Sequence, residues 1–330
     1  MISKLRQVQV QKVVDQYAGG TQSQAAVVKI DGQTKFLKSQ RPHHYARYAN
    51  FESEILAHDL FEVAGLRSPE AEMVRLKPGT PLHKELGAVV LAMDFVDSEF
   101  AGHRKVAHGA WGLREGADKT AYLKMTLVDI VMGNADRRDA NYMDRWTSNG
   151  QVKPVPIDNN SGFGNLVNWR IPTNHCNFVC SYDGAGDTPG VRQNGTIANI
   201  LLDTMLHREI LDEPHEQQQA LQLAKEFVQA LSNEKIDAMV EELPREIIPR
   251  GTKVSTEKLN KSLSPSTLTV LVNGASPEVS GQELFQLRKQ QIKDTLAWRR
   301  DHLVEALQKF FAADQPVQQA SEDWKLLGQS

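Results

Sequence analysis

The sequence predicts an α+β chain, with a small strand-rich lobe carrying one helix followed by a larger, mostly helical lobe. Three observations carry this. Short apolar runs with period-two alternation dominate the first hundred residues. One helical pattern, 50–64, interrupts them. Past residue 115 the period changes to that of amphipathic helices. The join is expected near Asp97, giving lobes of 1–97 and 98–330.

Taken in order, Val8 and Val10 alternate with glutamines, as in a half-buried strand. GGTQSQ (19–24) is a flexible turn. AAVVKI (25–30) and TKFLKS (34–39) flank Asp31-Gly32, a strong hairpin signal. From 50 to 64, Leu56, Ala57, Leu60, Phe61, Val63 and Ala64 fall on one arc, and Gly65 stands where a helix end favours glycine. AEMVRL (71–76) and AVVLAMDFV (88–96) read as two more strands. Residues 115–132 read as a helix. YMDRW and QVKPVPI follow as short strands around Ser148-Asn149-Gly150. Helical patterns return at 196–212, 214–232, 234–243 and 280–312. The Ser/Thr/Gly/Pro-rich stretch 249–279 reads as a long excursion with one strand, TLTVLV.

Bulk composition excludes several classes. The chain has 330 residues, 40% apolar and 24% charged, which suffices for a sizeable core. A net charge of −3 gives no general pull toward nucleic acid or an anionic membrane. Cys176 and Cys180 are too few for a disulfide framework, and His175 beside them lacks a second ligand cluster for zinc. MISKLRQVQVQKVV has no apolar core of signal-peptide length, and no run reaches a membrane span. The expectation is a cytoplasmic protein, or one delivered into a host cell without a cleavable signal.

Two acidic turns carry the chemistry. GNADRRDANY (133–142) holds Asp136, Asp139 and Asn141, and the run ending Pro156-Ile157-Asp158-Asn159 adds another carboxylate. An exposed loop pairing Asp136 and Asp139 with Arg137, Arg138 or Arg145 would contribute only about 0–1 kcal/mol. Phosphoryl transfer gives such residues a use. It needs positioning and charge neutralisation by a hard, oxygen-liganded magnesium ion. A chain building that site supplies an Asp facing the acceptor, an Asn five residues on, and a later Asp for metal and phosphates. Asp136, Asn141 and Asp158 have that order.

Such a site also needs a strand lysine paired with a helical glutamate. TKFLKS offers Lys35 and Lys38, and the following helix offers Glu52 and Glu54. The two glutamates lie about 200° apart around a helix, so periodicity does not choose between them. GGTQSQ falls where a phosphate cover belongs, since glycine lets backbone N–H groups approach an anion. VVLAMDFV would form the hinge between lobes. Its backbone from Met93 through Phe95 to Val96 would meet adenine, with Met143 and Ile157 as an apolar floor.

The whole pattern resembles the atypical kinases of the HipA-like and phosphatidylinositol 3-/4-kinase-like group, in bacterial form. The carrying residues are GGTQS, Phe36-Leu37-Lys38, Ser53-Glu54-Ile55-Leu56, Met132-Gly133-Asn134-Ala135-Asp136-Arg137-Arg138-Asp139-Ala140-Asn141 and Pro156-Ile157-Asp158-Asn159. Leu243-Pro244 and Trp298 to Leu303 are similar to the helical tail of bacterial members. The resemblance implies a bilobal protein-kinase-like fold. It implies Asp136 as catalytic carboxylate and Asn141 and Asp158 as magnesium ligands. Lys38 would be the phosphate lysine, with Glu54 rather than Glu52 as its partner. Gly19, Gly20, Thr21 and Ser23 would cover the phosphates. Many relatives have His where this chain has Arg138. The metal motif is Asp-Asn and not Asp-Phe-Gly.

The expected activity is magnesium-dependent transfer of the ATP γ-phosphoryl group to a protein Ser/Thr hydroxyl, with Thr21 or Ser23 as sites of self-modification. A lipid kinase is the nearest alternative. AMP transfer, or a non-catalytic nucleotide-binding effector or toxin, are the others. The basic clusters Arg41–Arg47 and His103–His108 are modest, which favours a protein acceptor. The stretch 249–279 and the helical tail are candidates for recognising that acceptor or a host or cellular activator.

Overall fold

The structure is a computed structural model. It describes residues 5–17, 25–39, 51–80, 82–96, 100–101, 104–105, 111–113, 115–134, 137, 141–159, 162–163, 211, 213–248, 251–255 and 278–312.

A six-stranded sheet forms the first part. Its strands are β1 (Arg6–Val8), β2 (Lys12–Tyr17), β3 (Ala25–Ile30), β4 (Gln33–Ser39), β5 (Ala71–Leu76) and β6 (Val89–Asp94). They lie in the order β1-β5-β6-β4-β3-β2. Only the β1–β5 pairing is parallel. The β3–β4 hairpin closes through two residues, Asp31 and Gly32, both at positive φ (52° and 78°), as a primed turn requires. Between Val13 and Asp15 the β2 register slips by one residue. The extra residue, Val14, stands half in solvent.

Period two sorts this sheet into two faces. Leu37, Val90 and Ala92 enter one apolar cluster with Val8, Val28 and Ile30, covered by Leu82 and Leu86 at the short helix α2 (His83–Leu86). Phe36, Leu91 and Met93 enter the other, against α1 (Phe51–Val63). Lys38 is paired with Leu91 and Phe36 with Met93, so Lys38 belongs to the α1 face. Ser39 falls on the opposite face, and its hydroxyl donates to the Leu86 carbonyl at 2.7 Å.

Three short strands, β7 (Phe100–Ala101), β8 (Arg104–Lys105) and β9 (Trp111–Gly112), lead to α3 (Lys119–Met132). The sequence predicts helix from 115. It begins at Lys119 because Asp118 caps it, its side chain accepting from the Ala121 N–H at 3.1 Å. Gly133, at φ 73°, ends it. β10 (Tyr142–Trp146) and β11 (Val152–Pro156) form an antiparallel hairpin, extended by β7. Then come α4 (Pro214–Ala230), α5 (Asn233–Glu241), β12 (Lys253–Ser255), β13 (Glu278–Ser280) and α6 (Gly281–Ala312). A capping box between Glu213 and Glu216 starts α4, and Ser232 caps α5. At 32 residues, α6 is about 48 Å long.

The architecture is thus α+β, a β-rich N-terminal lobe with α1 and a mainly helical C-terminal lobe. One apolar cluster runs from the sheet through α1 into α3, α4, α5 and α6, by way of Leu60, Met93, Val128, Phe227, Val240 and Leu296. Among the described residues no helix is long and apolar enough to cross a membrane. The expected join at Asp97, the helix 196–212 apart from Leu211, the strand TLTVLV, the cysteines 176 and 180, the cluster 41–47 and most of 103–108 lie outside the described residues.

Candidate active site

Lys38 is the centre of the site. It is 7% exposed, and its ammonium meets carboxylates on both sides. It donates to Glu54 Oε1 from α1 and to Asp158 Oδ1 at 2.8 Å. Burial by itself lowers a lysine pKa. Here the fields of Glu54 and Asp158 outweigh it and push the ammonium above its ordinary range. Glu54 is fully enclosed, and its Oε2 accepts the Asn159 backbone N–H at 2.9 Å. One carboxylate therefore ties strand β4, helix α1 and the turn after β11.

The hairpin positions the oxygen donors. Tyr142 is opposite Pro156, which sets Asn141 beside Ile157, and the Ile157 N–H donates to the Asn141 carbonyl at 3.0 Å. Asn141 is buried. Asp158 follows at φ 53°, a left-handed conformation that Asp tolerates better than most residues. Its side chain keeps 40% exposure while bonded to Lys38.

Beneath these residues lies a second, sealed ionic cluster. Arg137 and Asp129 both have fully buried side chains and form a two-pronged pair, Nε to Oδ2 and NH2 to Oδ1, each at 2.9 Å. The remaining donor capacity of Arg137 goes to the Asn141 carbonyl, to the Ile157 carbonyl at 2.7 Å and to Asn159 Oδ1 at 2.5 Å. Asn134 adds a bond to Asp129 at 3.1 Å. Burial raises the Asp129 pKa despite the opposing pull of Arg137. The guanidinium thus fixes the backbone on either side of Asn141 and Asp158.

The structure brings Lys38, Glu54 and Asp158 into direct contact and sets Asn141 at the same end of the hairpin. Lys35, the other strand lysine, is on the opposite face and pairs with Asp94 across strands at 2.5 Å. Glu52 pairs elsewhere, with Arg288 of α6 at 2.7 Å. Of the apolar candidates, Met93 is in β6 and buried in the core on the α1 face. Phe95 is 42% exposed, and Met143 and Ile157 are half-buried. Gly19, Gly20, Thr21, Ser23 and Asp136 lie outside the described residues, as do Arg138 and Asp139.

Sequence reasoning missed Arg137, Asp129 and Arg288. It includes Arg137 in the motif that carries the resemblance but gives it no role, apart from surface pairing in the alternative it sets aside. A usable signal was present: Asp129 is a lone carboxylate amid Leu127, Val128, Ile130, Val131 and Met132, where a charge must find a buried partner.

A strand lysine bound to a helical glutamate, with a hairpin beyond presenting Asn and Asp, is the internal arrangement of a kinase-like fold. No protein-family model matches the chain, and no curated protein matches it in sequence. Among solved structures, it is similar to the Helicobacter pylori proinflammatory kinase CtkA. That match has 13% identity and TM-score 0.40, covering 91% of this chain and 99% of that one. It is also similar to the MAP kinase LmaMPK10 from Leishmania major, at 13% identity and TM-score 0.28, covering 93% and 84%. The kinase-like fold rests on the ion pairs and the topology, not on these overlaps.

Proposed function

We propose that this chain is a magnesium-dependent phosphotransferase that moves the γ-phosphoryl group of ATP to a Ser or Thr hydroxyl of a protein. The observation that supports it is the buried ammonium of Lys38 held between Glu54 and Asp158. The first of these carboxylates, Glu54, is enclosed, as in a structural ion pair. The second, Asp158, remains partly open to solvent, where a phosphate and a cation can reach it.

The residues fit magnesium, which takes oxygen ligands at carboxylates and amide carbonyls. Asp158 and Asn141 would hold it. When bound, Mg-ATP supplies the transferable phosphoryl group and neutralises the charge that develops on it. The chain's own residues do the rest. Lys38 stays protonated through neutral pH and offers a fixed positive charge to phosphate oxygens. Glu54 orients it. Arg137 holds the Asn141 and Ile157 carbonyls, so that the Asn141 and Asp158 donors keep their spacing. Asp136, one residue before Arg137, would orient the acceptor hydroxyl and take its proton. Gly19, Gly20, Thr21 and Ser23 would cover the phosphates, and Met93, Phe95, Met143 and Ile157 would frame the adenine. Thr21 and Ser23 are proposed sites of self-modification.

Parallel incubation with γ- and α-labelled ATP tests this reading. Label from the γ position alone, lost in Asp136→Ala while nucleotide binding persists, is the expected result. Label from α alone would make the chain an AMP transferase, and transfer to phosphoinositide vesicles but not to protein would make it a lipid kinase. No label at all, with acceptor proteins and a cell extract as a source of any activator present, would remove the catalytic reading. Intact-mass analysis after Mg-ATP should add phosphate at Thr21 or Ser23.

A further inference from the structure

The two glutamates in the first turn of α1 are both buried, and each has its own cation. Glu54 turns to the sheet and Lys38. Glu52 turns to α6, where its Oε1 accepts from Arg288 Nε at 2.7 Å. The Arg288 side chain is wholly enclosed. Its NH1 donates to the Phe163 carbonyl at 3.0 Å and to Gln291 Oε1 at 2.7 Å. The Phe163 N–H in turn donates to the Met132 carbonyl at the end of α3, at 2.8 Å. One guanidinium fork therefore joins α1, α6 and the 162–163 turn that follows Asp158.

The glutamates leave α1 about 200° apart, so the first turn is gripped from two sides. Ser53, between them, is also confined. A Cβ on Gly162 would come within 3.2 Å of Ser53 Cβ and 2.8 Å of Met132 Cε. A rotation of α1 about its axis that withdraws Glu54 from Lys38 would also carry Glu52 away from Arg288. Both steps leave buried charges unpaired, which is strongly unfavourable.

We propose that Arg288 is a positioning residue for Lys38: helix α6 is a built-in clamp that keeps α1 in place with Glu54 on the lysine, so the site assembles without a separate activating protein. The consequence for rate rests on the phosphotransferase reading above. The consequence at Lys38 rests on geometry alone.

Amine-reactive labelling of the full chain, read lysine by lysine by mass spectrometry, tests the clamp. The reagent attacks only an accessible, deprotonated amine, so Lys38 in the wild type should be among the slowest. Arg288→Ala and Glu52→Gln are each expected to speed Lys38 labelling about tenfold or more by allowing local opening. The control is Leu303→Ala, a core truncation about four turns along the same helix. It should lower stability yet leave Lys38 labelling within about twofold of wild type, because the clamp is untouched. γ-Phosphoryl transfer, assayed in parallel with no other protein added beyond the acceptor, should fall about tenfold or more in the two clamp variants, through kcat more than KM. If Arg288→Ala does not fold, Glu52→Gln decides the question. Unchanged Lys38 labelling in the folded clamp variants overturns the proposal, and so does an equal rise in Leu303→Ala. If labelling responds as expected while the wild type transfers phosphoryl only after a cell extract is added, the clamp stands and activator-free assembly falls; if it transfers none even then, the clamp stands and the phosphotransferase reading falls.

Discussion

Two ionic clusters lie within a few residues of each other, and they are built differently. Around Arg137, both partners of the ion pair are fully buried, and the guanidinium's bonds go to Asp129, Asn159 and two backbone carbonyls. Around Lys38, the ammonium and Glu54 are buried, but Asp158 keeps 40% of its side chain exposed. A closed cluster sets positions. A cluster with one open carboxylate has a group to offer a ligand. The contrast teaches that burial of charge alone does not mark a reactive site; what marks one is a charge network left open on one side.

The largest effect should come from breaking the sealed cluster. Asp129→Ala leaves the Arg137 guanidinium buried without its carboxylate and should cost about 3–5 kcal/mol. Urea unfolding measures it. Replacing both partners by apolar residues of similar volume should not restore that loss, because the Asn141 and Ile157 carbonyls and the Asn159 amide oxygen then lose a buried donor. A loss below about 1 kcal/mol for Asp129→Ala would mean that Arg137 does not depend on this carboxylate.

Next in size is the wall of that cluster. Gly133 sits at φ 73°, and a Cβ there would lie 2.5 Å from Arg299 NH1, which itself donates to the Ile130 carbonyl at 2.9 Å. Arg299 is itself buried, 1% exposed, so its guanidinium has little room to move aside. Gly32 has a similar φ, 78°, with open space around it. Gly133→Ala should therefore cost more than about 2 kcal/mol and Gly32→Ala only about 1 kcal/mol, the bare penalty of a left-handed alanine. Thermal melts of the two variants sharpen the difference between strain and strain with a clash.

Smaller in stability, though not in activity, is Asp158→Ala. Asp158 is 40% exposed and Lys38 keeps Glu54, so losing the carboxylate and placing an alanine at φ 53° should together cost about 1–2 kcal/mol. Mg-nucleotide binding, followed by calorimetry, should nearly vanish. A variant that loses stability and keeps binding would reverse the assignment of open and closed clusters.

The smallest expected signal is in pH. The Lys38 pKa is raised in the folded state, so its contribution is fully present below the unfolded lysine value of about 10.4 and is lost only as pH rises through the still higher folded value. The Tm difference between wild type and Lys38→Met should thus stay constant from about pH 6 to about pH 9. A difference that shrinks within that window would mean that the ammonium is not held as described.

By itself the sequence determined the kinds of element and their order. Period two marked the strands, Asp31-Gly32 marked the hairpin, and the arc from Leu56 to Ala64 marked α1, because these signals act over a few residues. It also ordered the amine and the oxygens along the chain. Tertiary structure decided the partners. Lys35 and Lys38 both suited a phosphate lysine until strand pairing put them on opposite faces. Glu52 and Glu54 were equivalent by periodicity until the sheet took one and α6 took the other. Helical and strand periods fix which way a side chain faces, but a buried charge is matched by whatever the fold carries to it. For Glu52 that is Arg288, 236 residues away, a distance over which no local pattern persists.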